Sequence, residues 1–191
     1  MNPFVMSSLA NGLQEKGYEI ERFGYPLFPK KEDLHQNLIG VVSSYKPDAI
    51  IGHSLGGNIT VANLAKLDSS VRAVVCLGSP LKGSSIARKV TASKVPGIIS
   101  QAAQDVLLDE LVIPPSKIKV GMISGTSDTI GFRLVFGGLL GPSDGTVSTE
   151  ETIIPGLADR VELKVGHTGL LFSDEVVSQI SHFLTHRKFL R

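Results

Sequence analysis

The sequence has a single cysteine, almost no excess of charge and no long apolar run, and each shortage excludes a class of protein. Cys76 alone cannot form an internal disulfide framework or a cysteine-built zinc site. Nineteen basic and eighteen acidic side chains leave a formal net charge of +1, so we expect no nucleic acid partner. No apolar run approaches the ~20 residues that cross a bilayer, so we expect no integral membrane segment.

The length and the hydropathy indicate one folded domain over residues 1–191. A chain of 191 residues and 20.4 kDa buries roughly 70% of its unfolded surface without disulfide support. Its 42% hydrophobic content and mean hydropathy of +0.17 exclude disorder and favour strands that are buried on both faces. The opening MNPFVMSSLA lacks a basic start followed by an apolar stretch, so we expect a cytoplasmic protein.

Short apolar runs alternate with stretches of helical periodicity along the chain. Leu34, Leu38 and Val42 repeat at helical spacing, whereas residues 71–77 form a continuous apolar run that is typical of a buried strand. The predicted strands are 18–25, 49–52, 71–77, 117–123 and 160–165, and the predicted helices are 5–17, 31–45, 57–67 and 174–186. This alternation predicts a three-layer α/β fold with a mostly parallel sheet and helices on both faces.

Two connections are too long to be plain crossovers between a strand and a helix. The first, 81–116, contains Gly and Pro as punctuation and an amphipathic stretch over 99–111. The second, 125–155, is rich in Gly, Ser and Thr and includes the apolar run 135–140. Long connections inside a compact domain are more often functional than idle, so both are candidates for a substrate pocket or for ordinary core packing.

Residues 52–57, GHSLGG, fit the G-x-S-x-G pattern between a predicted strand and a predicted helix. A strand that turns directly into a helix forces Ser54 into a strained conformation that projects its hydroxyl outward. The next amide, of Leu55, lies at the helix N-terminus, where it can stabilise an oxyanion. The alternative is a glycine-rich turn that binds a phosphate, but the Lys-Ser/Thr ending of a P-loop and the G-x-G-x-x-G pattern are both absent.

A serine nucleophile needs a base, and His167 is the strongest candidate. It follows the last predicted strand, so it lies at the carboxyl edge of the sheet, where open α/β folds place their sites. His53 belongs to the turn and is expected to point away from Ser54 as a packing residue. His35 lies on an early predicted helix. His182 and His186, four residues apart on the last predicted helix, could pair on a metal, but no third ligand is apparent, so we expect a solvated helix face.

The acid that orients the base can be Asp128 or Asp144. Both follow the predicted strand 117–123 and give the chain order Ser, Asp, His. Asp-Gly is also a common turn pair, so spacing alone does not choose between them.

Four blocks occur in order and together cover nearly the whole chain: GHSLGG, LGSPLKGSSIA, PSDGTVS and GHTGLLFS. With them the sequence resembles the α/β-hydrolase superfamily and is most similar to its compact bacterial lipase/esterase-like members. The resemblance implies Ser54 as nucleophile, Asp144 as acid in preference to Asp128, and His167 as base. It also implies that 81–116 occupies the place of a lid or cap.

The start of the chain departs from that superfamily. Its members carry a strand ending in His-Gly before the first helix, and the loop after that strand supplies a second oxyanion amide. Here Met1-Asn2-Pro3-Phe4 stands where that loop should be, so we expect that roughly ten to twenty native residues precede an internal methionine. The N–H of Met1 or Asn2 would partly replace the lost donor. Without the strand, 18–25 and 49–52 either pair or leave a slot with unpaired backbone groups.

The leading hypothesis is an esterase or lipase that hydrolyses a small-molecule or lipid-like carboxylic ester through an acyl-enzyme. His167 would deprotonate Ser54, Asp144 would orient the imidazole, and no metal or other cofactor is required. A thioesterase, amidase or acyltransferase with the same triad is the alternative among enzymes. A catalytically silent binding protein is the alternative of another class, because a strand is missing. The sequence indicates no oligomeric state.

Overall fold

The computed structural model describes residues 3–24, 31–93, 100–127 and 141–191. Within these ranges the strands are β1 (Ala49–His53), β2 (Ala73–Leu77), β3 (Lys119–Gly125) and β4 (Asp159–Leu163). The α-helices are α1 (Ser7–Glu15), α2 (Lys31–Tyr45), α3 (Leu55–Ala62), α4 (Ser85–Ser93), α5 (Gln101–Leu108) and α6 (Asp174–His186). Short 3₁₀ turns span Pro3–Met6, Leu64–Lys66, Glu150–Thr152 and Gly169–Leu171.

The four strands form one parallel sheet in the order β1-β2-β3-β4. The register aligns Ala49 with Ala73 and Ala73 with Lys119, and β4 begins two residues further along β3, with Gly121 opposite Asp159. Helices connect β1 to β2 and β2 to β3, as parallel pairing requires. The predicted α/β class with a mostly parallel sheet is therefore confirmed.

Helices cover both faces of this sheet because the inner strands are apolar at every position. Along β2, Val74 and Cys76 face one layer, and Val75 and Leu77 face the other, all with no exposed surface. The first layer is built from α2, α3 and α5, and the second from α1 and α6. Burial of both faces explains the continuous apolar run in the sequence.

The helix ends follow local chemistry. Gly17 ends α1 with a φ of 88°, a left-handed conformation that glycine adopts without steric cost. At α6, the Ser173 hydroxyl accepts a hydrogen bond from the Val176 N–H and so caps the first turn. None of the helices in the described ranges is long and apolar enough to cross a membrane.

The predicted strand at 18–25 is wrong for the residues that the structure describes. Residues 18–24 form no strand, and Tyr25 lies outside the described residues. The side chains still alternate as in a strand, since Tyr18 and Ile20 pack inward and Glu19 and Glu21 are exposed. A strand needs a hydrogen-bonded neighbour, however, and β1 does not pair with this segment.

The insertion 81–116 contributes α4 and α5, with residues 94–99 between them outside the described ranges. Ala102 and Val106 of α5 join the core cluster with α2 and α3. The described part of the predicted amphipathic stretch, 100–111, therefore packs against the domain. The run 135–140 lies outside the described residues, and the function of 81–116 as a lid stays a prediction.

Alanine substitutions at two glycines, one in the sheet and one on the surface, test how tightly the α6 layer packs on the sheet. A Cβ at Gly121 in β3 would approach the ring of Phe183 to 2.7 Å and that of Phe189 to 2.8 Å, and both rings are buried. Gly121→Ala should therefore lower the free energy of unfolding by about 1–3 kcal/mol in urea titrations. Gly40→Ala, at an exposed position of α2 with open space around it, should raise that free energy by roughly 0.5–1 kcal/mol. Equal stability of the two variants would contradict the described packing of the rings.

Candidate active site

Polar residues meet at the carboxyl edge of the sheet, where all four strands end. Ser54 follows β1, Gly78 follows β2, Gly125 ends β3, and His167 lies four residues beyond β4. Because the strands are parallel, these chain positions come together in space. Asp144 joins them from the segment between β3 and β4.

Ser54 forms a strained turn between β1 and α3. Its φ of 52° and ψ of −123° are unusual for a residue with a side chain. The turn is tight because a Cβ at Gly52 would lie 2.6 Å from the Gly57 nitrogen, so glycine is required there. The Ser54 hydroxyl does not cap α3, although serine is a preferred capping residue. The hydroxyl is therefore not held by the helix backbone.

The backbone around Ser54 leaves the Leu55 amide available. The Ser54 N–H donates to the Leu77 carbonyl at 2.8 Å, and its own carbonyl accepts from the Gly57 N–H at 3.0 Å. Leu55 is the first residue of α3, and within the described ranges its N–H has no acceptor. That amide and the positive end of the helix dipole favour negative charge beside the serine. Met1, the predicted second donor, lies outside the described residues.

Asp144 and His167 form a tightly held pair. His167 Nδ1 donates to Asp144 Oδ2 at 2.7 Å, and the Asp144 side chain is 1% exposed. The other carboxylate oxygen, Oδ1, accepts from the N–H groups of Thr146 and Val147 at 2.9 and 2.7 Å. The His167 N–H also donates to the Asp144 carbonyl at 2.9 Å. This double link fixes the imidazole in one orientation, with Nε2 as the nitrogen free to act.

Two glycines make room for the pair. A Cβ at Gly78, whose φ is +52°, would approach Asp144 Oδ2 to 2.8 Å and His167 Nδ1 to 3.2 Å. A Cβ at Gly125 would meet Asp144 Cβ at 2.7 Å. Any larger residue at these strand ends would displace the carboxylate or the imidazole.

The structure brings Ser54, Leu55, Asp144 and His167 to one edge of the sheet. Among the described hydrogen bonds, none joins the Ser54 hydroxyl to His167. Asp144 is the aspartate that contacts His167, whereas Asp128 lies outside the described residues. His182 lies on α6, and its Nδ1 donates to the Lys188 carbonyl at 2.8 Å. No group of three His, Cys, Asp or Glu side chains in the described ranges is arranged to hold a metal.

His53 has a closer relation to the site than the sequence indicated. It is buried, but its Nε2 lies 3.0 Å from the His167 carbonyl oxygen and its ring centroid lies 4.6 Å from that of His167. Burial lowers the pKa of His53 from 6.5 to about 4, and the neighbouring His167 shifts it in the same direction. His53 is thus neutral at pH 7 and supports the loop that carries His167.

Cys76, by contrast, lies fully buried in β2. Burial raises the pKa of its thiol to about 12, so the thiolate is not formed near neutral pH. It is a packing residue, as expected from its strand.

The buried His53 should make stability depend on pH. Its pKa is lower in the folded than in the unfolded state, so the unfolded state binds more protons between pH 4 and pH 6.5. The free energy of unfolding should fall by about 3 kcal/mol from pH 7 to pH 4 on account of this residue. Urea titrations of the wild type and of His53→Asn should differ in this pH dependence. A His53 imidazole that titrates near pH 6.5 by NMR would contradict the described burial.

No family model matches the sequence, and no curated protein matches it either. Solved structures do resemble the fold. The chain is similar to the mature lipase BlEst2 of Bacillus licheniformis, with 20% identity and a TM-score of 0.69 over 93% of this chain and 82% of the lipase. It is similar to the esterase domain of a Rhodothermus marinus protein, with 19% identity and a TM-score of 0.58 over 96% of this chain and 78% of that domain.

A third similar structure is the phospholipase PlaB of Legionella pneumophila, with 15% identity and a TM-score of 0.57 over 95% of this chain and 53% of the phospholipase. At these identities the likeness concerns the fold. The chain has the α/β-hydrolase fold that such lipases and esterases share.

Proposed function

We propose that this protein is a serine hydrolase that cleaves carboxylic esters through an acyl-enzyme intermediate. The observation that carries the proposal is the buried pair of Asp144 and His167 at the sheet edge where the strained Ser54 lies. A structural turn alone has no need of a buried carboxylate aimed at an imidazole. The lipase, esterase and phospholipase names of similar structures support ester chemistry as the reaction class.

In this mechanism His167 Nε2 takes the Ser54 proton as the hydroxyl oxygen attacks the ester carbonyl carbon. The carbonyl oxygen becomes an oxyanion, which the Leu55 N–H stabilises. The intermediate collapses when His167 returns the proton to the leaving alcohol, and the acyl group remains on Ser54. Water then repeats the two steps and releases the acid. Asp144 stabilises the imidazolium that forms in each half-reaction.

A neutral His53 suits this chemistry. Two imidazolium rings 4.6 Å apart would repel each other, so a charged His53 would oppose protonation of His167. Its lowered pKa of about 4 keeps it neutral over the range in which a histidine base works. His53 also donates to the carbonyl of His167 and so helps to hold the loop in place.

The proposed substrate is a small-molecule or lipid-like ester. The segment 81–116 is the candidate lid, since it leaves the sheet just after Gly78 and returns before β3. Its chain also contacts the segment that contains Asp144, because the Ser85 N–H donates to the buried Glu151 carboxylate at 2.5 Å. Movement of α4 would therefore shift the segment that carries Asp144.

Removing the nucleophile is the direct test. Ser54→Ala should lower kcat for p-nitrophenyl esters by at least about 10⁴-fold and abolish labelling by a fluorophosphonate probe. Ser127→Ala is the matched control, because Ser127 lies two residues after β3 at the same sheet edge. It should keep its activity and its labelling. Activity that survives in Ser54→Ala would remove Ser54 from the proposed role.

Changing the acid tests the orientation of the base. Asp144→Asn keeps the shape of the side chain but favours the wrong imidazole tautomer, so kcat should fall by about 10³–10⁴-fold. The fold, followed by circular dichroism, should persist. Glu150→Gln, whose exposed carboxylate lies in the same part of the chain, should behave as the wild type in both assays. A similar kcat for Asp144→Asn and the wild type would contradict the assignment.

A further inference from the structure

The proposed mechanism does not use the buried carboxylate of Glu151. This residue lies in the segment between β3 and β4 that also carries Asp144, and it is 9% exposed. No ion pair among the described residues includes Glu151, whereas the neighbouring Glu150 pairs with Lys82 at 3.2 Å. A buried carboxylate without a cation needs hydrogen-bond donors, and the loss of one of them is costly. The role of Glu151 therefore depends on which donors its two oxygens bind.

One carboxylate oxygen of Glu151 holds Ser148. The Ser148 N–H and hydroxyl donate to Glu151 Oε2 at 2.8 and 3.1 Å, and the Glu151 N–H donates to the Ser148 hydroxyl oxygen at 3.3 Å. These are the reciprocal bonds of a capping box, in which a serine is followed three residues later by a glutamate. They fix the start of the 3₁₀ turn Glu150–Thr152.

Ser148 directly follows the turn that holds Asp144. The Val147 N–H donates to Asp144 Oδ1 at 2.7 Å, and the Asp144 N–H donates to the Val147 carbonyl at 3.1 Å. Ser143, the residue before Asp144, forms an antiparallel bridge with Ser148. The capping box thus closes this turn from its far side. A displaced Ser148 would shift the N–H groups on which the buried Asp144 carboxylate depends.

The other oxygen of Glu151, Oε1, binds the insertion 81–116. It accepts a hydrogen bond from the N–H of Ser85, the first residue of α4, at 2.5 Å. The N–H groups of a first helical turn have no partner within the helix, so a carboxylate is a favourable acceptor for one of them. The Glu151 carbonyl adds a second link, because it accepts from the Lys82 N–H at 2.8 Å. Glu151 therefore connects the start of α4 to the turn that holds Asp144.

We propose that Glu151 is a positioning residue for Asp144, through which the place of α4 determines how firmly Asp144 holds His167. This role rests on the proposed hydrolase function. Both oxygens of Glu151 face backbone N–H groups, which cannot accept a hydrogen bond. Only a carboxylate satisfies the two at once, because an amide has a single acceptor oxygen and its NH₂ group would face a donor. Glu151→Gln must therefore lose the N–H of either Ser85 or Ser148.

Turnover of p-nitrophenyl esters tests this role. Glu151→Gln should lower kcat by at least about tenfold and change KM by less than about threefold, since displacement of a catalytic group by about 1 Å can cost about 10²-fold in rate. Glu150→Gln, which changes the exposed carboxylate next to it, is the matched control and should keep the wild-type kcat. In the Asp144→Asn background, Glu151→Gln should lower kcat by less than about twofold, because the oriented acid is already lost.

A proline variant isolates the link to α4. Ser85→Pro removes the donating N–H at the first position of a helix, where proline is tolerated. It should lower kcat by at least about threefold. Adding Glu151→Gln should lower kcat by less than about twofold more, because the amide can then keep Ser148. Gln101→Pro, at the same position of α5 and after the extended Ser100, is the matched control and should leave kcat unchanged.

An NMR measurement follows the acid and the base without using Ser54. The imidazole N–H that His167 Nδ1 donates to Asp144 should exchange with water at least about tenfold faster in Glu151→Gln than in the wild type. Glu150→Gln should show the wild-type exchange rate. If Glu151→Gln does not fold by circular dichroism, Ser85→Pro takes its place in each comparison.

For an active wild type, an unchanged kcat or an unchanged exchange rate in Glu151→Gln would overturn the proposal. A tenfold loss of kcat that persists in the Asp144→Asn background would also overturn it, since Glu151 would then act without Asp144. A wild type that neither hydrolyses esters nor reacts with a fluorophosphonate probe would instead contradict the proposed function. The exchange rate of the His167 N–H would then still decide whether Glu151 positions the pair.

Discussion

The buried carboxylate of Asp144 needs hydrogen-bond donors, and residues at the carboxyl edge of the sheet supply them. Two backbone N–H groups serve one oxygen and the His167 imidazole serves the other. Gly78 and Gly125 keep the space free of side chains. If any donor were lost, a buried acceptor would stand unpaired, so the arrangement holds together as a unit.

The contact between Asp144 and His167 also holds the loop that runs from β4 across the sheet toward β1. His167 follows β4, whereas Ser54 follows β1, three strand spacings or about 14 Å away. The four residues after β4 cross the ends of β3 and β2, and contacts with Asp144 and then His53 fix them on the way. The site is therefore built across the sheet, and its geometry depends on the order of the strands as much as on the turn at Ser54.

The helices and strands with a clear apolar pattern of their own could be predicted from the sequence. The helices 31–45 and 174–186 have the predicted bounds. The continuous apolar run 71–77 predicted a strand buried on both faces, and β2 lies there. The predicted strand over 18–25 is wrong for residues 18–24, because alternating side chains indicate only which residues are buried. A strand also needs a neighbouring strand to pair with. Spacing could not choose between two aspartates, since only contact with His167 distinguishes them. The proximity of His53 to His167 depends on residues 114 positions apart, which local pattern cannot show.

Because His53 and His167 are far apart in the chain, they are synthesised at different times. During synthesis at about 5–20 residues per second, roughly 6–23 s pass between the appearance of His53 and that of His167. Until His167 is made, the base that we propose for Ser54 is absent. Under that proposal, a nascent chain carries an unreactive serine until its last strand has been added. Chemical reactivity at this residue would mark a chain that has been translated and folded through to α6.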